Sequence, residues 1–192
     1  SEVTGMRGIA GAIKGRPLCS VRGFKTRPTS DRVKEAIFNL VPNRVYRDGV
    51  GLDLFAGTGS LGIEALSRGC SHVIFVDYAG QAVKIIKKNI QELGLKQRSE
   101  VYKQDAIRAV HILAKKKQQF NIIFLDPPYS WEKVNTLLDL IAKRSLLMEG
   151  GILVFESAKE RPMAERYDSL TLYKRQIYGD TAVHIYTKEE LT

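Results

Sequence analysis

The sequence predicts an open, doubly wound α/β sheet, and three observations carry that reading. From Gly51 to Phe155, short apolar runs alternate with stretches of helical periodicity, the pattern of parallel strands joined by crossover helices. Four of the strands lead into an acidic residue or a glycine-rich loop: Asp53 with Gly57, Gly59 and Gly62, then Asp77, Asp105 and Asp126. The last part of the chain breaks the alternation. Leu170 to Ile177 and Thr181 to Thr187 are alternating runs across Tyr178-Gly179-Asp180, which reads as a closing antiparallel hairpin. Five parallel strands and this hairpin make a mostly parallel, seven-stranded sheet.

At 192 residues the chain is expected to be one domain over 1–192, with a basic hairpin extension at 6–25 and a catalytic core at 26–187. Net charge is +9, which points to a polyanionic partner, most simply nucleic acid. Met6 to Lys34 is basic throughout, with Asp31 its one acid. Cys19 and Cys70 are too few and too far apart for a disulfide framework or a zinc motif. His72, His111 and His184 share no ligand spacing. A reducing, cytoplasmic setting without a metal follows as the expectation. No apolar run reaches membrane-span length, and no obligate protein partner is evident.

Taken in order, Ser1 to Gly5 reads as a flexible leader, with Met6 as the natural start. Arg7 to Val21 is Gly-rich and reads as a loose β-hairpin whose Arg7, Lys14 and Arg16, with Arg27 beyond it, suit a phosphate backbone. Thr29 or Ser30 caps the next helix, and Asp31 complements its positive end. Val33, Ala36, Ile37, Leu40 and Val41 form one apolar face before Pro42.

Gly51 to Phe55 is the first core strand. Ala56-Gly57-Thr58-Gly59-Ser60-Leu61-Gly62 turns from it into a helix over Leu61 to Ser67, and glycines there let a ligand approach the backbone. His72 to Val76 is the second strand, ending at Asp77, and a helix runs on through Leu93. Glu100 to Lys103 is the third, followed by Gln104-Asp105 and a helix to about Lys116. Lys115-Lys116-Lys117 reads as the solvated end of that helix. Phe120 to Leu125 is a strand buried on both faces, after which two prolines in Asp126-Pro127-Pro128-Tyr129 forbid both strand and immediate helix. A helix from about Trp131 to Arg144 and a strand over Gly151 to Phe155 complete the alternation.

Open α/β sheets bind ligands at the carboxyl edge of their strands, where the four acids should gather. A nicotinamide dinucleotide leaves Asp53 opposing its phosphates. S-adenosylmethionine fits better: Asp53 can accept from its ammonium directly or through water, Asp77 from the ribose and Asp105 from the adenine amine. Tyr78 and Ile107 are expected to sandwich the adenine ring. Asp126, the Pro127 carbonyl and the Tyr129 ring form a socket for a planar amine.

Asp53-Leu-Phe-Ala-Gly-Thr-Gly-Ser-Leu-Gly62 and Asp126-Pro-Pro-Tyr129 resemble the cofactor and catalytic motifs of class I amino-methyltransferases. Arg27-Pro-Thr-Ser-Asp-Arg-Val-Lys-Glu-Ala-Ile-Phe38, the order of the motifs and Tyr178-Gly-Asp-Thr181 narrow the resemblance to the RsmD-like enzymes. Asp77 stands where a glutamate is also common. The resemblance implies a Rossmann-like fold and methyl transfer to the exocyclic N2 of a guanine in bacterial small-subunit ribosomal RNA, free or in the ribosomal particle. It implies a cofactor set of Thr29, Asp53, Phe55, Gly57, Gly59, Asp77, Tyr78, Asp105 and Ala106, with Asp126, Pro127 and Tyr129 at the reacting amine. Two other readings are a DNA adenine-N6 or cytosine-N4 methyltransferase, since the same motif serves those amines, and an inactive RNA-binding module on the same fold.

Overall fold

The computed structural model describes the backbone of residues 3–7 and 17–19, and residues 30–188 in full. Strands β1 (Val3–Arg7) and β2 (Pro17–Cys19) form a small antiparallel pair. The hairpin thus begins earlier than the sequence suggested, because Val3 to Gly5, read as leader, pair their backbone with β2. Lys14, Arg16, Arg27 and Thr29 lie outside the described residues, as does the Arg7 side chain.

Helix α1 (Asp31–Leu40) is capped by Ser30, whose hydroxyl accepts from the Val33 N–H at 3.2 Å. The main sheet follows: β3 (Val50–Leu54), β4 (His72–Asp77), β5 (Ser99–Lys103), β6 (Phe120–Leu125) and β7 (Leu147–Ala158) are parallel. Between them run α2 (Ser60–Ser67), α3 (Gly80–Glu92), α4 (Ala106–Lys115) and α5 (Val134–Lys143). β8 (Arg166–Tyr167), β9 (Leu170–Tyr178) and β10 (Thr181–Lys188) extend the sheet antiparallel, giving the order β5-β4-β3-β6-β7-β10-β9-β8. The strand count is eight, not seven. β8 was illegible because two residues show no alternation; it turns at Asp168, in the left-handed region at φ 48°, to pair with β9.

The period of two along each strand splits the core. Phe75, Ile122, Phe124, Val154 and Ile185 face α1, α2 and α3. Leu52, Leu54, Ile74, Ile123 and Phe155 face α4 and α5. The α1 stripe is buried at Val33, Ile37 and Phe38, and with it Lys34, which is 1% exposed. Burial lowers the Lys34 pKa, and the Glu64 and Asp31 charges oppose that shift. Glu64 also holds Arg68 at 3.2 Å, and the Arg68 guanidinium lies 4.8 Å from the Phe38 ring centroid. Helix α1 is thereby fastened to α2.

α5 starts three residues later than expected. The Trp131 N–H closes a turn onto the Pro128 carbonyl at 2.9 Å, and its own carbonyl accepts from Arg161 at 2.7 Å. With its carbonyl taken by Arg161, Trp131 stays outside the helix.

Helix α2 packs tightly on β4. A Cβ at Gly62 would stand 2.4 Å from Phe75 Cε1, so this glycine serves helix–sheet contact. Gly62→Ala should cost about 1–3 kcal/mol, the usual range for overpacking a core, read from urea unfolding. His184 is fully buried; its Nε2 meets the Ser157 hydroxyl at 2.9 Å and its ring stacks on Phe155 at 5.3 Å. Burial, with the Arg175 charge adding, pushes its pKa from 6.5 down to about 4. A depressed histidine contributes stability that is present above its unfolded pKa and lost as pH falls through the folded value. Between about pH 7 and about pH 4.5 the wild-type urea midpoint should therefore fall more steeply than that of His184→Gln.

Candidate active site

The strand order reverses at β3. The chain leaves β3 for β4 and β5 on one side, then crosses to β6 and β7 on the other. The crevice at such a reversal, outside the carboxyl ends of the strands, is where doubly wound sheets hold ligands.

The loop after β3 is built on two carboxylates. Phe55 sits at φ 60°, unusual for a bulky side chain, and Gly57 and Gly59 follow at φ 60° and 83°, where glycine carries no Cβ penalty. Asp77 at the end of β4 accepts from the Gly57 N–H through Oδ2 and from the Ala79 N–H through Oδ1, both at 2.9 Å. Asp53 Oδ2 accepts from the Gly62 N–H at 3.0 Å. The Gly59 N–H is taken by the Ala56 carbonyl at 2.7 Å, and Asn89 Nδ2 donates to the Thr58 carbonyl at 3.0 Å.

These bonds place Asp53 beneath the loop. It is 1% exposed, lies against the first turn of α2 and does not line the cleft. Burial pushes its carboxyl well above the usual range; the Gly62 N–H opposes the shift and the Asp77 charge adds to it. Asp53 thus shapes the glycine loop from beneath. The same bonds show where the loop's donors go: Gly57 and Gly62 give their N–H groups to carboxylates, so these two are spent before any phosphate arrives.

Beside the loop opens a cleft of about 410 Å³. Phe55, Asp77, Tyr78, Asp105, Ala106, Pro128 and Trp131 are among its walls. Tyr78 is 77% exposed at its lip. Asp105 caps α4, accepting from the Arg108 N–H at 3.0 Å. Ile107 is not in the wall; it packs against the core beneath α4, because one step along a helix turns a side chain about 100° away. The aromatic wall that sequence reasoning missed is Trp131, edge-on to Phe55 with ring centroids 4.9 Å apart. Its signal was present as the chain's one tryptophan, two residues beyond Tyr129.

The Asp126-Pro127-Pro128-Tyr129 turn borders this cleft from the end of β6. Pro128 reaches the wall; Asp126 and Tyr129 are half-buried beside it, and Pro127 is buried. Tyr129 is held from the antiparallel side of the sheet. Its phenol meets the Thr181 hydroxyl at 2.7 Å, and its carbonyl accepts from Arg161 Nη2 at 2.9 Å. Thr181 stands in the Tyr178-Gly-Asp-Thr181 motif, but nothing in the sequence linked it or Arg161 to Tyr129, since each lies far along the chain. Among the described residues no cluster of histidine, cysteine or acidic side chains is arranged to hold a metal ion, and no helix is long and apolar enough to cross a membrane.

The arrangement has counterparts among known proteins. Residues 6–187 match the family described as Conserved hypothetical protein 95. YlbH of Bacillus subtilis is 47% identical over 183 residues, covering 95% of this chain and 99% of that one. The ribosomal RNA small subunit methyltransferase D of Haemophilus influenzae is 31% identical over 182 residues, covering 94% and 93%. Among solved structures, yhhF from Escherichia coli superposes with a TM-score of 0.82 at 27% identity, covering 96% of this chain and 98% of that chain. By sequence over nearly its whole length, the chain belongs to the family of the ribosomal RNA small subunit methyltransferase D proteins.

Proposed function

We propose that this chain transfers a methyl group from S-adenosylmethionine to the exocyclic N2 of a guanine in small-subunit ribosomal RNA. The observation that carries this reading is the proline-braced Asp126-Pro127-Pro128-Tyr129 turn, set against an aromatic and acidic cleft at the strand-order reversal. Membership of the ribosomal RNA small subunit methyltransferase D family supports the RNA substrate.

The cleft suits a donor without phosphates. Asp77 and Asp105 put two carboxylates in its wall, and a pyrophosphate would face their charge with the Gly57 and Gly62 N–H groups already committed. A ribose diol instead gains from Asp77, because each of its oxygens keeps acceptor capacity beyond the bonds to Gly57 and Ala79. Trp131, Phe55 and Tyr78 give an adenine ring apolar walls, and Asp105 an acceptor for its amine. When bound, S-adenosylmethionine supplies an electrophilic methyl group on a sulfonium.

The chain's own task is to present the acceptor. A guanine N2 lone pair is delocalised into the ring and is a weak nucleophile. Asp126 and the Pro127 carbonyl accept its two N–H bonds and draw the nitrogen toward tetrahedral geometry. Tyr129 stacks on the base, which leaves any paired region to reach the socket. Holding the two partners in line supplies much of the acceleration. Two prolines make the turn rigid, so little orientation is lost when the base arrives.

The direct test incubates the protein with labelled cofactor and small-subunit ribosomal RNA, free or in particles, and analyses the product nucleosides. Label in N2-methylguanosine is expected, and label confined to another nucleoside would overturn the assignment. Asp126→Ala should keep most cofactor affinity while single-turnover methyl transfer falls by about 10²–10⁴, the range for losing a positioned acceptor. Asp126→Asn should fall less, because its amide oxygen still accepts.

Asp77→Ala should weaken S-adenosylmethionine binding by about 1–3 kcal/mol, the cost of hydrogen bonds to a carboxylate, measured by calorimetry. NAD at comparable concentration should leave the titration unchanged; displacement by NAD would point to a dinucleotide site.

A further inference from the structure

Two side chains outside the nucleotide-binding half grip the catalytic turn. Arg161 follows β7, and one of its nitrogens, Nη2, donates to the Tyr129 carbonyl at 2.9 Å and to the Trp131 carbonyl at 2.7 Å. Thr181 opens β10, and its hydroxyl meets the Tyr129 phenol at 2.7 Å. Tyr129 is thus pinned at both ends, at its backbone by Arg161 and at the tip of its ring by Thr181.

We propose that Arg161 and Thr181 are positioning residues for methyl transfer: Arg161 sets the catalytic turn and the Trp131 wall of the cofactor cleft together, and Thr181 fixes the tilt of the Tyr129 ring. The proposal rests on the reading of this cleft as a methyltransferase site. Three features favour it over a purely structural role. The two carbonyls gripped by Arg161 belong to residues with different duties, Tyr129 facing the amine socket and Trp131 facing the cofactor cleft. Trp131 is itself locked edge-on against Phe55, which leads into the glycine loop, so a shift of the turn is passed to the cofactor side. The charge-assisted bonds from a guanidinium are directional, and Arg161 is half-buried and outside the hydrophobic core.

The phenol has a consequence of its own. A ring used only for stacking would work equally well as phenylalanine. A hydroxyl bonded to Thr181 makes the ring's tilt part of the preorganised site, set before a base arrives.

The chain supplies its own probe, because Trp131 is its one tryptophan and its emission reports on the cleft wall. The experiment compares wild type, Arg161→Ala, Arg161→Lys, Thr181→Val and Thr181→Ser by three readouts. These are Trp131 emission with and without S-adenosylhomocysteine, single-turnover methyl transfer at saturating RNA and cofactor, and melting temperature. Arg161→Ala should shift Trp131 emission to the red, weaken S-adenosylhomocysteine binding and slow transfer by about 10–100-fold, the scale for misplacing reacting groups by an ångström or less. Arg161→Lys, which keeps the charge but carries its one nitrogen on a shorter side chain, should recover only part of each. Thr181→Val should slow transfer with Trp131 emission and S-adenosylhomocysteine affinity unchanged, and Thr181→Ser should restore the rate. Tyr129→Phe combined with Thr181→Val should be no slower than the slower single variant, since both remove one bond.

Wild-type emission and rate in Arg161→Ala would overturn the Arg161 assignment. A Thr181→Val rate equal to wild type would overturn the other. If Arg161→Ala does not fold, Arg161→Met, which keeps the stem and removes both bonds, decides, and wild-type emission and rate there would also overturn it. Failure of the wild-type chain to bind S-adenosylhomocysteine would strike the methyltransferase reading instead.

Discussion

The cleft of this molecule depends on the Asp77 carboxylate. It stands at the end of β4, between β5 and β3, and is 7% exposed. One oxygen holds the glycine loop through Gly57, and the other holds the chain's entry into α3 through Ala79. A single side chain therefore ties the loop after β3 to the loop after β4 and leaves its remaining lone pairs at the cleft. The Ala56 N–H repeats the tie one step deeper, donating to the Val76 carbonyl at 3.0 Å. With the two loops joined, the cleft between them keeps one shape.

Close packing beneath that loop makes the arrangement possible. Gly62 lets α2 settle onto Phe75 without a Cβ between them, which brings the start of α2 over Asp53. Asp53 then spends its carboxylate on the helix start, in a setting where burial favours its protonated form. On the outer side, α1 covers the same core face and buries Lys34 near Glu64. A buried lysine is worthwhile only with acceptors close by, so α1 has one place to dock. That docking also fixes where the chain enters the core from its N-terminal side.

The antiparallel extension has a second role beyond closing the sheet. β10 inserts between β7 and β9, so Thr181 at its start arrives beside the end of β6. The segment after β7 brings Arg161 to the same turn. The parallel half forms the cleft and the antiparallel half braces the Asp126-Pro127-Pro128-Tyr129 turn beside it. Prolines make the turn stiff along its length, and these two contacts set its tilt.

The elements that the sequence determined were those whose signal is local. Apolar runs and helical stripes located the five parallel strands and the closing hairpin, because periodicity follows directly from strand and helix geometry. Strand-end acids and paired prolines marked Asp77, Asp105 and Asp126, since a proline acts on its own neighbours. Contacts between distant positions had no such signal. That Asp53 turns under the loop, that Trp131 and not Ile107 lines the cleft, and that β8 exists at all were decided by packing across the sheet. Arg161 and Thr181 lie 32 and 52 residues from Tyr129, and only strand order brings them to it. Sequence period fixes which way a side chain faces within its own element; which other element it meets is a property of the assembled sheet.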